Sequence, residues 1–309
     1  MWFVFALATT LLWGTADLFY KRGANPDEKH SHLLTTICVG LVMGAHAIFM
    51  LLTGDIGYNP VNILVYLPVS LCYILSMAIG YLGLRYLELS ISSPIQNASG
   101  AVSAILCLVV LQQIPDLYSG IAVIVICIGV FLLGWLERTK PSEVEEKDKK
   151  YAKSTFALLF PILYCVIDAL GSFLDAYYLD DISATPLIGV TEDTFEDVAN
   201  ISYELTFLFV AVVLLFYLLV IKREKIVIKQ QGNRLGAAVF ETAGQFFYVY
   251  ALAGGNAVVA GPMIGSYAIV SVILSRIFLK EKLKPMQYVA VGMVLAGIVV
   301  MGIVEALAE

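Results

Sequence analysis

Charged residues are scarce in this chain of 309 residues: Asp, Glu, Lys and Arg make up only 14% of it, against about 25% in soluble domains. The net charge of -6 excludes the dense basic surface that nucleic acid binding requires. In place of charge, 60% of the residues are hydrophobic, and the mean hydropathy is +0.85. Because such a chain cannot hide its apolar surface from water, we predict a protein embedded in a lipid bilayer.

The residues of common catalytic and metal sites are also few. The sequence has three histidines, no HExxH or GxSxG motif, and five cysteines without CxxC spacing. The cysteines lie in apolar stretches, where they act as small core residues. We therefore expect no metal ion and no cofactor, and a membrane-embedded enzyme is the weaker alternative. A channel is a further alternative, although channels more often place rings of identical residues around a symmetric pore.

Ten apolar segments are each long enough, at roughly 20 residues, to cross a bilayer as a helix. They lie near 2–20, 32–53, 61–84, 88–111, 117–136, 153–179, 199–221, 235–253, 256–279 and 286–307. Only two connections are long: the charged stretch 137–153 and the stretch 180–198, which has six acidic residues and no basic one. The sequence therefore predicts an all-α membrane protein with ten transmembrane helices.

An internal repeat divides these segments into two sets of five. With a shift of 168 residues, the first half aligns with the second without a gap across more than forty positions, and the matches include Pro94 with Pro262, Ser103 with Ser271, and Gly129 with Gly297. We predict a first repeat at 1–136, a cytoplasmic linker at 137–152 and a second repeat at 153–309. Because five is an odd number, the repeats enter the membrane in opposite senses, as the inverted repeats of many secondary transporters do.

The basic residues predict the orientation of the chain. All 19 Lys and Arg residues lie in or next to the loops that follow odd-numbered segments. Cytoplasmic loops collect basic residues. We therefore predict that these loops are cytoplasmic, and that both termini and the acidic stretch 180–198 face the opposite side of the cell membrane.

Two stretches carry a family resemblance. Residues 11–24 read LLWGTADLFYKRGA, and residues 249–302 combine a small-residue run, a proline, an apolar helix, the acidic turn KEKL and a glycine-spaced last helix. These patterns resemble the opening and the closing segments of the drug/metabolite transporter superfamily, in its EamA-like ten-helix branch. The resemblance implies secondary transport, but the superfamily carries amino acids, nucleotide sugars, amines and drugs. One departure is Gln113, which takes the first-half position of Glu281.

Carboxylates inside the predicted helices are candidate functional residues, because a charge at the centre of a bilayer costs at least about 2.5 kcal/mol unless it faces a cavity or a partner. Four such residues are Asp17, Asp168, Asp175 and Glu241. Asp168 lies in mid-helix without a basic neighbour, which favours a functional role. The alternative for Asp17 is a pair with Lys21, one helical turn later.

An aromatic residue precedes two of these carboxylates by one turn. Trp13 precedes Asp17, and Tyr164 precedes Asp168, so that each pair shares a helix face. The two faces belong to the first helices of the two repeats and could meet near the repeat axis.

A polar stripe runs along the eighth segment, formed by Glu241, Gln245 and Tyr248. Its alternative interpretation is a hydrogen-bonding seam between helices.

Prolines in the fourth and ninth segments free backbone carbonyls for a ligand or water. The first proline lies near Asn97, and the second lies near Ser266 and Tyr267. The predicted substrate-binding residues are Trp13, Asp17, Asn97, Tyr164, Asp168, Glu241, Gln245, Tyr248, Ser266 and Tyr267. His46, without an acidic neighbour on its own helix, is expected to be structural.

The predicted site favours a cation. Four embedded carboxylates against one nearby lysine repel anions, and aromatic faces attract cations by about 0.5 to 2 kcal/mol each. We predict alternating-access transport of a small cationic or zwitterionic molecule: an amine, a quaternary ammonium compound or an amino acid. The same carboxylates could also exchange protons and make the proton a coupling ion. A transporter of nucleotide sugars or other neutral or anionic metabolites is the alternative within this fold.

Overall fold

The computed structural model describes residues 1–23, 28, 30–83, 96, 98–137, 159–278 and 285–308, and within these ranges the regular structure is helical throughout. The α-helices are α1 (Trp2–Gly23), α2 (Ser31–Thr53), α3 (Asn62–Val65), α4 (Leu67–Gly83), α5 (Ser99–Leu106), α6 (Leu117–Glu137), α7 (Leu159–Leu179), α8 (Phe195–Phe216), α9 (Gly232–Ala253), α10 (Ala257–Gly265), α11 (Tyr267–Phe278) and α12 (Pro285–Ala308). Helices α5 and α8 continue as π-helical turns over Cys107–Leu111 and Tyr217–Ile221, and a 3₁₀ turn at Ile228–Gln230 precedes α9. The predicted all-α class is confirmed.

Within the described ranges, six helical stretches are long and apolar enough to cross a membrane. They are Trp2–Gly23, Ser31–Thr53, Leu159–Leu179, Phe195–Ile221, Ala257–Phe278 and Pro285–Leu307. Shorter apolar helices at Leu67–Gly80, Ser99–Leu111 and Leu117–Leu133 fall in three further predicted segments. The total of ten crossings stays a prediction, and most of the predicted linker, 138–152, lies outside the described residues.

The outer surface of the bundle is apolar. Phe49, Phe131 and Phe209 are each more than half exposed, as are many Leu, Ile and Val side chains on the long helices. An exposed apolar surface of this extent is unfavourable in water and suits contact with lipid chains. The chain therefore has the outer surface of a membrane protein.

Helix packing follows a paired scheme. Helix α1 packs on α9 and α11, while α7 packs on α4 and α5. If α1 corresponds to α7 in the predicted repeat, then α9 corresponds to α4 and α11 to α5. Under that predicted correspondence, the contacts of α1 match those of α7; the inverted repeat itself stays a prediction.

Helices α6 and α12 pack on each other through reciprocal glycine contacts. A Cβ atom placed on Gly129 would lie 2.4 Å from Cγ2 of Val294, and one on Gly297 would lie 2.6 Å from Cγ1 of Ile126. The same shift of 168 residues relates Gly129 to Gly297 and Ile126 to Val294. The contact of Gly129 with Val294 and that of Gly297 with Ile126 thus join equivalent positions in opposite order. Such reciprocal contacts are the pattern of a two-fold axis, as expected for two related halves.

Contacts between loops separate the two ends of the bundle. At one end, Arg234 at the start of α9 forms an ion pair with Glu28, which lies between α1 and α2. At the other end, Asn62 exchanges two hydrogen bonds, of 2.8 and 2.9 Å, with the backbone of Ile188. The predicted division of the loops into a cytoplasmic set and an outer set stays a prediction.

Candidate functional site

Trp13 lies where α1, α9 and α11 meet. Its ring centroid is 5.1 Å from that of Tyr248 and 5.9 Å from that of Tyr267. Its indole Nε1 donates a hydrogen bond of 3.3 Å to the backbone carbonyl of Glu241. Gly244 permits this approach, because a Cβ atom there would lie 2.4 Å from Cδ1 of the indole. The structure thus joins three predicted aromatic residues in one cluster.

Asp17, Asp168 and Glu241 form a group that we call the acidic centre, with one residue from each of α1, α7 and α9. Each keeps part of its surface accessible although it lies between helices, and Glu241 is close enough to the other two for their charges to interact. The Ser271 hydroxyl donates to Oδ2 of Asp17 at 2.7 Å, and the Ser76 hydroxyl donates to Oδ1 of Asp168 at 3.2 Å. Two predicted acids, Asp17 and Asp168, therefore lie within electrostatic range of the third, Glu241.

Asp17 lies near both a polar residue of a neighbouring helix and Lys21 of its own helix. Ser271 binds its carboxylate from α11, while Lys21 lies near enough for an electrostatic interaction. The lysine therefore lowers the net negative charge at this edge of the acidic centre.

Tyr164 repeats the arrangement of Trp13 in the other half. It lies one turn before Asp168 and faces the carboxylate. A Cβ atom placed on Gly80 of α4 would lie 2.7 Å from Cδ2 of Tyr164, as one on Gly244 would crowd Trp13. Each aromatic ring therefore occupies a notch made by a glycine on the neighbouring helix.

The polar cluster extends beyond the predicted residues along α4. The hydroxyl of Tyr73 shares a hydrogen bond of 2.7 Å with that of Tyr248 and donates one of 3.1 Å to Oγ of Ser172. Seven residues earlier, just before α4 begins, the Tyr66 hydroxyl donates to Oδ1 of the fully buried Asp175. Sequence reasoning missed both tyrosines. The available signals were their spacing of seven residues, which places them on one helix face, and the alignment of Tyr73 with Glu241 under the shift of 168.

A fifth embedded carboxylate corrects the count of four made from the sequence. Glu204 lies within α8 with none of its surface exposed. Both of its carboxylate oxygens lie 2.8 Å from Nδ1 of His46 on α2. His46 therefore does have an acidic partner, which sequence reasoning overlooked because the two residues are 158 positions apart.

The remaining predicted residues take other places. Ser266 is fully buried at the break between α10 and α11, and its hydroxyl donates to the carbonyl of Met263 at 2.5 Å. Gln245 is buried one turn after Glu241, and its Nε2 has no hydrogen-bond partner among the described residues. Asn97 lies outside the described residues. Seven predicted residues are thus linked around the acidic centre: Trp13, Asp17, Tyr164, Asp168, Glu241, Tyr248 and Tyr267.

Comparison with known proteins agrees with this architecture. The model of the EamA-like transporter family matches residues 1–135 and 202–303. A solved structure titled "Crystal structure of protein" superposes with a TM-score of 0.69 at 14% identity, over 99% of this chain and 98% of that chain. At that identity the likeness shows the fold alone. The comparison with curated proteins gives no match.

Proposed function

Because the chain belongs to the EamA-like transporter family, we propose that it is a secondary active transporter that moves a small cationic or zwitterionic molecule by alternating access. Family membership and the apolar helices establish a multi-pass membrane protein of a small-molecule transporter family. The substrate class and the mechanism are the proposal.

One observation carries the choice of a cation: the acidic centre lies directly beside the cluster of Trp13, Tyr248 and Tyr267, which we call the aromatic wall. Among the described residues, no ion pair includes Asp168 or Glu241. A substrate cation would supply the missing positive charge, whereas an anion would be repelled. The rings of Trp13 and Tyr267 would each add about 0.5 to 2 kcal/mol of cation–π attraction in a desolvated site.

The paired packing supports alternating access between two inverted repeats. Trp13 over Gly244 and Tyr164 over Gly80 give the two halves matching contacts on either side of the acidic centre. In transporters built from inverted repeats, the substrate lies between the halves, which rock around it. We place the substrate between α1 and α7 and the basic loops in the cytoplasm, with both termini on the other side.

The test is transport by the purified protein in liposomes, with a fluorescent quaternary ammonium dye as the probe. Amines should compete with the dye, and nucleotide sugars should not. Glu241→Gln and Asp168→Asn should each lower dye transport at least tenfold while the proteins stay folded, because each removes a charge and keeps the shape. Glu192→Gln, a matched change on the exposed acidic stretch, should leave transport unchanged.

Two results would contradict the proposal. Competition by nucleotide sugars but not by amines would favour the alternative substrate class. Unchanged transport in both Glu241→Gln and Asp168→Asn would reduce these residues to hydrogen-bonding contacts between helices.

A further inference from the structure

Asp175 differs from the acids of the acidic centre because its side chain is completely buried. None of its surface is exposed, whereas Asp17, Asp168 and Glu241 each keep an accessible part. Oδ1 accepts a hydrogen bond from Tyr66, and Oδ2 has no hydrogen-bond partner among the described residues. A ligand of the size of an amine cannot reach a carboxylate that has no accessible surface.

The groups that face Asp175 from the packed elements are tyrosines. They come from the turn before α4, from α4 itself, from α8 and from α9, and are Tyr66, Tyr73, Tyr203 and Tyr248. Asp168 lies two turns away on the same helix. No ion pair of Asp175 occurs in the part of the chain that the structure describes. An ionised carboxylate is unfavourable among buried tyrosines when one of its oxygens accepts no hydrogen bond. A proton bound to that oxygen removes the charge.

A series of neighbouring hydroxyl groups leads from Asp175 to the aromatic wall. The Tyr73 hydroxyl lies near Asp175 without a hydrogen bond to it; it donates to Oγ of Ser172 and shares a hydrogen bond with the Tyr248 hydroxyl. The Tyr248 ring in turn packs on Trp13 at 5.1 Å. A hydroxyl has a single hydrogen to donate. Tyr73 can therefore donate to only one acceptor at a time: an ionised Asp175, Ser172 or Tyr248.

From this geometry we infer that Asp175 is an occluded proton site, separate from the acidic centre, and that Tyr73 and Tyr248 transmit its occupancy to the substrate site. The inference rests on the proposed transport function and names its coupling ion. A proton taken from water on one side of the membrane forms an O–H bond at Oδ2. The same bond breaks when the site opens to the other side, and the proton returns to water there. The acidic centre then binds the substrate and Asp175 binds the proton.

Infrared spectroscopy tests proton binding without any substrate. The full-length protein in lipid is titrated from pH 5 to 9, and the spectrum of Asp175→Asn is subtracted from that of the parent. We expect the C=O stretching band of a protonated carboxyl in the difference spectrum, lost as the pH rises. Absence of this band at every pH would overturn the inference. Asp168→Asn is the matched control, and loss of the same band in that variant instead would also overturn it.

A second variant covers the case in which Asp175→Asn does not fold. Tyr66→Phe leaves Asp175 in place and removes the hydrogen bond to Oδ1, so the frequency of the carboxyl band should move. An unchanged band in folded Tyr66→Phe protein would show that it arises elsewhere, and the inference would fail.

Coupling is measured with the quaternary ammonium dye outside the liposomes and a pH-sensitive dye inside. In the parent, dye entry should be accompanied by a net movement of protons across the membrane, which the internal dye reports. Asp175→Asn should keep dye exchange and lose the proton movement, and Tyr73→Phe should weaken the coupling. Proton movement equal to the parent's in Asp175→Asn would overturn the inference. No dye transport by the parent would instead count against the proposed function, and the infrared result would still decide whether Asp175 binds a proton.

Discussion

Gly244 lies beneath the indole of Trp13 at a distance that leaves no space for a methyl group. A Cβ atom there would be 2.4 Å from Cδ1 and 2.6 Å from Nε1 of the ring. Small residues at membrane helix interfaces allow such close approach of neighbouring helices. The indole nitrogen that crosses this interface donates to the backbone carbonyl of Glu241, so the glycine fixes the position of the ring relative to the helix that carries this acid.

Gly244→Ala should therefore displace Trp13. We expect a loss of about 1 to 3 kcal/mol of stability, as for other overpacked interfaces, and at least a tenfold weaker binding of the quaternary ammonium dye. Gly292→Ala on α12 is the control, because a Cβ atom there meets nothing within 4 Å. Thermal unfolding in detergent and dye binding measure the two effects. Equal behaviour of the two variants would show that the notch is not required.

Replacement of an aromatic ring tests the cation–π contribution directly. Trp13→Leu and Tyr164→Leu keep an apolar side chain and remove the π face, so a cationic ligand should lose about 1 to 2 kcal/mol per ring, or roughly five- to thirtyfold in affinity. A neutral ligand should bind as before. Titration calorimetry with a charged amine and its uncharged analogue makes the comparison. Parent-like binding of the charged amine by both variants would exclude the aromatic contribution.

The His46–Glu204 pair should behave as a coupled unit. His46→Phe leaves the fully buried Glu204 without this partner, which costs about 1 to 3 kcal/mol. The double variant His46→Phe/Glu204→Leu removes both polar groups and should recover most of that loss. Thermal unfolding of the two single variants and the double variant measures the coupling. Additive losses would mean that the two side chains do not stabilise each other.

Thiol labelling in intact cells tests the predicted orientation. Ser142→Cys in the linker should be protected from an impermeant maleimide, while Glu192→Cys on the acidic stretch should react, because the basic loops are predicted to be cytoplasmic. The parent, whose five cysteines are all free, gives the background. The reverse pattern would invert the orientation, and labelling of both positions would contradict the ten-helix arrangement.

The sequence by itself determined the class of the protein and the places of its helices. In a bilayer each helix satisfies its own backbone hydrogen bonds and needs an apolar length of about 20 residues, and both requirements are local. The predicted segments therefore fall on helices wherever the structure describes them. The motifs at 11–24 and 249–302 also pointed to the family that the comparison confirmed.

Only the tertiary structure decided which helix faces meet. Membrane helices are apolar on most sides, so hydrophobic periodicity does not select the neighbour, and small residues and polar contacts do. His46 hydrogen-bonds to the carboxylate of Glu204, 158 residues away in the sequence, and Trp13 donates to the backbone carbonyl of Glu241, 228 residues away. Ser266 was predicted to bind a ligand because it is polar and lies near Pro262. Its hydroxyl instead donates to the nearby carbonyl of Met263. Whether a polar side chain faces a cavity, a partner or its own backbone depends on the helix rotation that packing imposes.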